Sequence, residues 1–171
     1  MSSLVIKKDI LRGLRLPRPR SHKGENGRLL VIAGSEKYHG SLLYAIKVAG
    51  KIVDLVYVLT TRENRKLVEK LKSKTASFIP IHNAPFTPSY LKRGKGELFD
   101  GILIGPGMGK SKRTYKLVEK VLKSKIKAVL DADALNCLDA KLLKLLRPQH
   151  ILTPHKGEFT RLLRVGSTSP P

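Results

Sequence analysis

The chain has one cysteine, no tryptophan and only 13 acidic residues among 171, and each shortage removes a class of protein. Cys137 alone cannot close an internal disulfide, and no cluster of Cys and His has a zinc spacing. Aromatics make up 5% and form neither an RNP motif nor a zinc finger, so the chain lacks the standard signatures of a sequence-specific nucleic-acid reader. Long apolar runs are missing too. Runs such as Leu29 to Ala33 and Gly101 to Ile104 fall far short of the roughly 20 residues that cross a bilayer. The N-terminus meets Lys7, Lys8 and Asp9 within its first turns, so it lacks the apolar core of a signal peptide. The expectation is a cytoplasmic protein with no membrane contact.

The shortage of acids has a second consequence. Thirty-four Lys and Arg against 13 Asp and Glu leave +21, where a small soluble domain carries a net charge of about 2 to 8. A thermophilic ion-pair network needs acids to match its bases and does not account for this. A polyanionic partner, a salty cytoplasm and an acidic protein subunit are the three readings such a charge leaves open.

What is present is the composition of one globular domain: 41% hydrophobic and 27% charged residues, with 14 Gly and 10 Pro spread along the chain. Residues 1–27 read as a basic arm. Leu4, Val5, Ile10, Leu11 and Leu14 predict one short helix, which Pro17 and Pro19 end, and Arg15 to Lys23 reads as extended. From Arg28 a short apolar run alternates with a segment of helical period, the pattern of α/β structure. Strands are predicted at Leu29–Ala33, Leu55–Leu59, Ser77–Ile81, Gly101–Ile104, Ala128–Leu130 and Ile151–Leu152. Their consecutive apolar positions suit a parallel sheet buried on both faces. Helices are predicted at Ser41–Val48, Glu63–Leu71, Lys112–Leu122 and Ala134–Leu146, the last with a buried stripe of Leu135, Leu138, Leu142, Leu145 and Leu146. Asn83 to Gly96, rich in Pro and Gly, reads as a surface connection. The domain runs over 28–165, and 166–171 reads as a flexible tail.

In a parallel α/β sheet, ligands bind outside the carboxyl ends of the strands, where following helices point their N-termini inward. Four unusual segments fall on that edge: Gly34-Ser35 with Tyr38-His39-Gly40-Ser41; Gly105-Pro106-Gly107-Met108-Gly109; Asp131-Ala132-Asp133; and Thr153-Pro154-His155-Lys156-Gly157-Glu158. Glycines let a backbone approach a ligand closely, and carboxylates there bind a cation or a hydroxyl. Each segment alone also has a plainer reading. Gly105 to Gly109 makes a tight turn, Asp131 and Asp133 cap the next helix, His155 is structural, Glu158 caps a helix through Phe159, and Cys137 is core. His22, His39, His82 and His150 have no metal spacing. Gly105 to Ser111 also mimics a Walker A loop, but only Pro106, Gly107 and Met108 separate Gly105 from Gly109-Lys110-Ser111, one residue too few.

In order, His22-Lys23-Gly24 to Gly27-Arg28, Leu30-Val31-Ile32-Ala33-Gly34-Ser35, Tyr38-His39-Gly40-Ser41, Gly105-Pro106-Gly107-Met108-Gly109, Asp131-Ala132-Asp133-Ala134-Leu135 and Leu152-Thr153-Pro154-His155-Lys156-Gly157-Glu158-Phe159 resemble the ADP- or ATP-dependent NAD(P)H-hydrate dehydratases. The resemblance runs from about His22 to Leu163. It implies a ribokinase-like three-layer α/β fold with a mainly parallel sheet. It also implies removal of water from hydrated NADH or NADPH at the expense of ADP or ATP with magnesium. Phosphorylating the ring hydroxyl makes it a good leaving group, which the neighbouring ring nitrogen then expels. By resemblance, Gly40, Ser41, Gly107, Gly109, His155, Asp131 and Asp133 bind the substrate. Ser41 and Lys156 stand where relatives often have Ala and Pro.

The main departure is that relatives continue for about a hundred further residues, a domain-scale piece. That piece carries a Gly-Thr-Gly-Asp loop, the anion hole and catalytic Asp of the family, and this tetrapeptide occurs nowhere in the sequence. The expectation is therefore a ribokinase-like domain with its C-terminal part missing, a substrate-binding half with weak or no activity alone. A second polypeptide or a homo-oligomer would complete it; a split gene or a degenerate remnant would leave the same half. The alternatives to the resemblance are a P-loop-like nucleotide hydrolase and a non-enzymatic basic module binding nucleic acid.

Overall fold

The computed structural model describes residues 20–73, 78–81, 92–93 and 96–167. The helix expected around Leu4 to Leu14 and most of the connection after Asn83 lie outside the described residues. In chain order the elements are β1 (Arg28–Ile32), α1 (Gly40–Ala49), β2 (Leu55–Leu59), α2 (Arg65–Lys72), β3 (Phe78–Pro80), β4 (Lys92–Arg93), β5 (Gly96–Glu97), β6 (Gly101–Ile104), α3 (Lys112–Lys123), β7 (Ala128–Leu130), α4 (Asp133–Asn136), α5 (Ala140–Leu143), β8 (His150–Leu152) and α6 (Lys156–Ser167). All six expected strands and their parallel arrangement are present. Among the described residues, β4 and β5 add a small antiparallel pair, whose two-residue ladder is too short to leave a period in the sequence.

The six-stranded sheet has the order β3-β2-β1-β6-β7-β8, and every pairing is parallel. Consecutive apolar residues feed its two faces in alternation. Leu30, Ile32, Ile102, Ile104, Ala128 and Leu130 face Val118, Val121 and Leu122 of α3 together with Leu135, Leu138 and Leu142. Val31, Ala33, Val56 and Val58 face Leu42 and Ile46 of α1 and Val68 of α2. The result is three layers, in which each fully buried Leu or Ile contributes about 1.5–3 kcal/mol of transfer free energy. No helix among the described residues is long and apolar enough to cross a membrane.

The helix expected over Ala134–Leu146 is two short helices. The Asp139 carboxylate accepts from the Leu142 N–H at 2.8 Å and starts α5 afresh, and its other oxygen accepts from the Tyr115 hydroxyl at 3.0 Å. The Arg161 guanidinium donates to the Leu135 carbonyl at 2.6 Å, satisfying an end of α4 that a continuous helix would have used. Leu135, Leu138 and Leu142 are buried despite the break, so the stripe marked the core face and not the helix length. Residues 22–26 form a turn whose Gly24 and Asn26 N–H groups donate to Asp54 at 3.0 Å. α6 runs through Ser167, two residues into the expected tail.

Candidate functional site

From β1 the chain moves outward through β2 to β3, then returns to the other side of β1 and continues through β6, β7 and β8. The strand order therefore reverses between β1 and β6, and such a switch point opens a crevice at the carboxyl edge of the sheet. The loops leaving these two strands go to opposite faces, since α1 packs in one layer and α3 in the other. They are joined directly: the Gly34 N–H donates to the Pro106 carbonyl at 2.8 Å.

The first loop is fastened by its own polar groups. Ser35 N–H donates to the Tyr38 carbonyl at 2.9 Å, and Tyr38 N–H returns to the Ser35 hydroxyl at 3.1 Å. Asn64, buried at the start of α2, does not cap that helix; its amide donates to the Ser35 carbonyl at 3.0 Å and to the Thr60 hydroxyl at 3.2 Å. This delivers His39, Gly40 and Ser41 to the crevice as the exposed beginning of α1. No side chain caps α1, and its first turn holds no acid, so its N–H groups face outward with the positive end of the helix dipole.

In the second loop, Gly105, Gly107 and Gly109 have φ of 125°, 66° and 73°, the left-handed region that glycine enters without strain. A Cβ on Gly107 would stand 2.5 Å from the Ser41 Oγ and 3.0 Å from the Tyr38 carbonyl, which brings Gly107 and Ser41 together. Thr114, buried on α3, donates to the Gly109 carbonyl at 2.6 Å. The Gly109 N–H donates to Asp133 Oδ2 at 2.8 Å. A Walker loop needs such amides free for phosphate, so this bond counts against the P-loop reading as firmly as the spacing does.

Between Asp131 and Asp133, Ala132 has φ 45° and ψ −112°, a strained conformation costing on the order of 1–3 kcal/mol. It turns the two carboxylates to different neighbours. Asp131 Oδ1 accepts from the Thr153 hydroxyl at 2.8 Å, tying β7 to the loop after β8, while Asp133 reaches the glycine loop. Neither carboxylate caps α4, whose N-cap residue is Ala132. The other oxygen of each has no protein partner among the described residues.

His155 begins α6. Its N–H donates to Glu158 Oε2 at 3.0 Å, and its Nδ1 accepts from the Gly157 N–H at 3.1 Å, a capping box with histidine at the cap. The ring is 73% exposed, with Nε2 3.5 Å from Glu158 Oε1. It stands on the same edge of the sheet, but no described bond joins it to Asp131, Asp133 or Gly107. Cys137 is buried, and burial, then the charge of Asp133, pushes its thiol pKa up, as expected for an inert core residue.

Among the described residues no three His, Cys, Asp or Glu side chains assemble as a metal site. A hollow of about 40 Å³ lies behind Gly34, Thr60, Met108 and Ser111, far below the roughly 300 Å³ of a ligand pocket. The loops at the carboxyl edge form one wall of the open crevice. Thr153 and Asn64 hold that wall together and were missed by sequence reading. Thr153 lies inside a motif whose glycine and histidine drew the attention, and an Asn ahead of an amphipathic helix reads as an ordinary cap.

A sequence model of the carbohydrate-kinase-like family, described as NAD(P)H-hydrate dehydratase, matches residues 29–168. This chain belongs to the NAD(P)H-hydrate dehydratase family. It is 32% identical over 163 residues to the ADP-dependent (S)-NAD(P)H-hydrate dehydratase of Streptococcus pneumoniae, covering 92% of this chain and 54% of that one. It is 31% identical over 157 residues to the bifunctional NAD(P)H-hydrate repair enzyme of Methanocaldococcus jannaschii, covering 87% of this chain and 30% of that protein. Among solved structures, the ADP/ATP-dependent NAD(P)H-hydrate dehydratase of Bacillus subtilis, co-crystallised with ATP and Mg2+, superposes with a TM-score of 0.65 at 25% identity, covering 89% of this chain and 52% of that one. A ribokinase-like superfamily protein from Enterococcus faecalis gives a TM-score of 0.75 at 21% identity, covering 99% of this chain and 62% of the other, which shows the ribokinase-like fold. The chain thus spans from about a third to about half of the curated relatives it matches.

Proposed function

We propose that these 171 residues form the wall that binds hydrated NADH or NADPH in an NAD(P)H-hydrate dehydratase, and that they do not catalyse dehydration unaided. The observation that carries this reading is the switch point, where the uncapped start of α1 and the glycine loop meet through Ser41 and Gly107. A dinucleotide is a polyanion with a diphosphate at its centre. Outward N–H groups at Gly40 and Ser41 suit its phosphate oxygens, and Gly107, lacking a Cβ, lets Ser41 and Tyr38 close on the glycine loop. Asp131 and Asp133, each with one oxygen held by the protein and one without a protein partner among the described residues, accept hydrogen bonds from ribose or ring hydroxyls. His155 offers Nε2 from the exposed side of its ring, Nδ1 being occupied by the cap.

The phosphoryl-donor nucleotide is a different matter. The Gly-Thr-Gly-Asp loop that the resemblance implies as anion hole and catalytic Asp does not stand in the sequence. We assign the donor nucleotide and its metal to additional polypeptide packed beside β8, where the sheet is open. A second chain of that kind would be acidic to match the +21 charge.

The test is NADPH binding, followed by fluorescence, as a stand-in for the hydrated substrate. Ser41→Leu and Gly107→Val should each weaken binding by at least about tenfold, whereas Lys110→Ala should leave it unchanged. ADP binding that disappears in Lys110→Ala, with no NADPH binding in the parent chain, would restore the P-loop reading.

A further inference from the structure

The second feature with a chemistry of its own lies on α3. Lys112, Lys116 and Lys120 are exposed and recur every four residues, so they line one side of the helix at steps of about 6 Å. No ion pair to any of the three forms among the described residues. The lysines next in line behave differently: Lys123 and Lys141 both close on Glu119, at 2.9 and 3.1 Å, and Asp139 accepts from Tyr115. The local acids are thus turned away from the ridge. It stands proud between two depressions, one of about 780 Å³ toward Asn136 and Arg161 and one of about 330 Å³ beside Leu117.

We propose that this ridge is a sequence-independent binding surface for the phosphate backbone of nucleic acid. A protein partner would be expected to dock on an interface core of aromatic, Met or Arg anchors, in which Lys is depleted. Here the crest is Lys112, Lys116 and Lys120, with Thr114 and Val118 buried between them in the sequence and exposed Arg113 and half-buried Tyr115 to its sides. Flexible point charges in a row neutralise phosphates without reading bases, and the lack of a stacking aromatic row on the crest fits that mode. The ridge belongs to the outer side of α3 and uses none of the residues assigned to the dinucleotide, so the proposal stands apart from the dehydratase reading.

The experiment is fluorescence anisotropy of the full chain with a labelled single-stranded RNA of about 20 nucleotides and with duplex DNA of similar length, between about 50 and 200 mM salt. Lys112→Gln/Lys116→Gln/Lys120→Gln should weaken binding at least about tenfold and lower the salt slope for the single strand by about 2. Lys66→Gln/Lys70→Gln/Lys72→Gln on α2 removes the same charge and should change affinity less than about threefold, with thermal melts showing both variants folded. Preference for RNA or for duplex identifies which backbone fits the ridge, and either supports the proposal. Equal losses in the two triple variants would overturn it, because net charge alone would then explain binding. So would no binding at about 50 mM salt, or equal affinity for a polyglutamate of matching length, which would assign the surface to an acidic polypeptide.

Discussion

One row of the sheet shows how differently its middle and its β8 edge are built. Val31, Leu103, Val129 and Ile151 are register partners across β1, β6, β7 and β8 on the face that α1 covers. Val31 is fully buried, Leu103 and Val129 are half-buried, and Ile151 is 59% exposed. On the opposite face the neighbouring row of Ile32, Ile104 and Leu130 is buried and its β8 member, Leu152, is half-buried, since α3 to α5 pack there. Around β1, in the middle of the sheet, the core has three finished layers; at β8, an edge strand, the described residues leave Ile151 and, on α6, Phe159 and Leu163 exposed. An apolar face beside a free edge is a surface that proteins cover. The crevice for which dinucleotide binding is proposed opens from the finished part, between β1 and β6.

The largest test of this contrast compares side chains of like size in the middle of the sheet and at its β8 edge. Leu30→Ala, in the finished core, should lower stability by about 2–5 kcal/mol, whereas Ile151→Ala should change it by less than about 1 kcal/mol, both read from denaturant midpoints. Ile151→Ser should also reduce the apolar-dye binding expected of the isolated chain. A purified chain that melts cooperatively as a monomer and binds no dye would contradict the open β8 end.

Within the wall, Gly105→Ala should cost about 3 kcal/mol or more, because its φ is 125° and an added Cβ would collide with the Asp131 carbonyl. Gly109→Ala should cost only about 1 kcal/mol, since φ is 73° but nothing lies within 4 Å of the added carbon. Equal losses would show that the loop is not built around Gly105.

A smaller effect is expected at His150 on β8. Burial first, and then Arg147, hold its pKa below the ordinary histidine value. As pH falls below about 6.5 the unfolded chain takes up a proton that the folded chain refuses, so stability should decline on acidification. Melts at successive pH values should show a shallower decline in His150→Gln. The smallest effect concerns α5: Asp139→Ala removes the cap at Leu142 and the Tyr115 bond and should cost about 1 kcal/mol.

The strands and their parallel pairing were legible because short apolar runs ending in Gly, Asp or Pro alternate with segments of helical period along the chain. The break at Asp139 was not, since Leu135, Leu138 and Leu142 keep the same buried face in one helix or in two. The joining of Asp133 to Gly109 and of Asp131 to Thr153 depends on contacts between loops 22 to 24 residues apart, and periodicity carries no information about those. Composition showed a large positive charge, and only the structure showed that Lys112, Lys116 and Lys120 form no ion pair among the described residues while Glu119 gathers Lys123 and Lys141.

The most direct test of the central claim is a calorimetric titration of the purified chain with NADPH, and separately with ADP and magnesium. The account predicts NADPH binding that needs no ADP, with little heat from ADP and magnesium alone. Tight ADP binding with none of NADPH would contradict it.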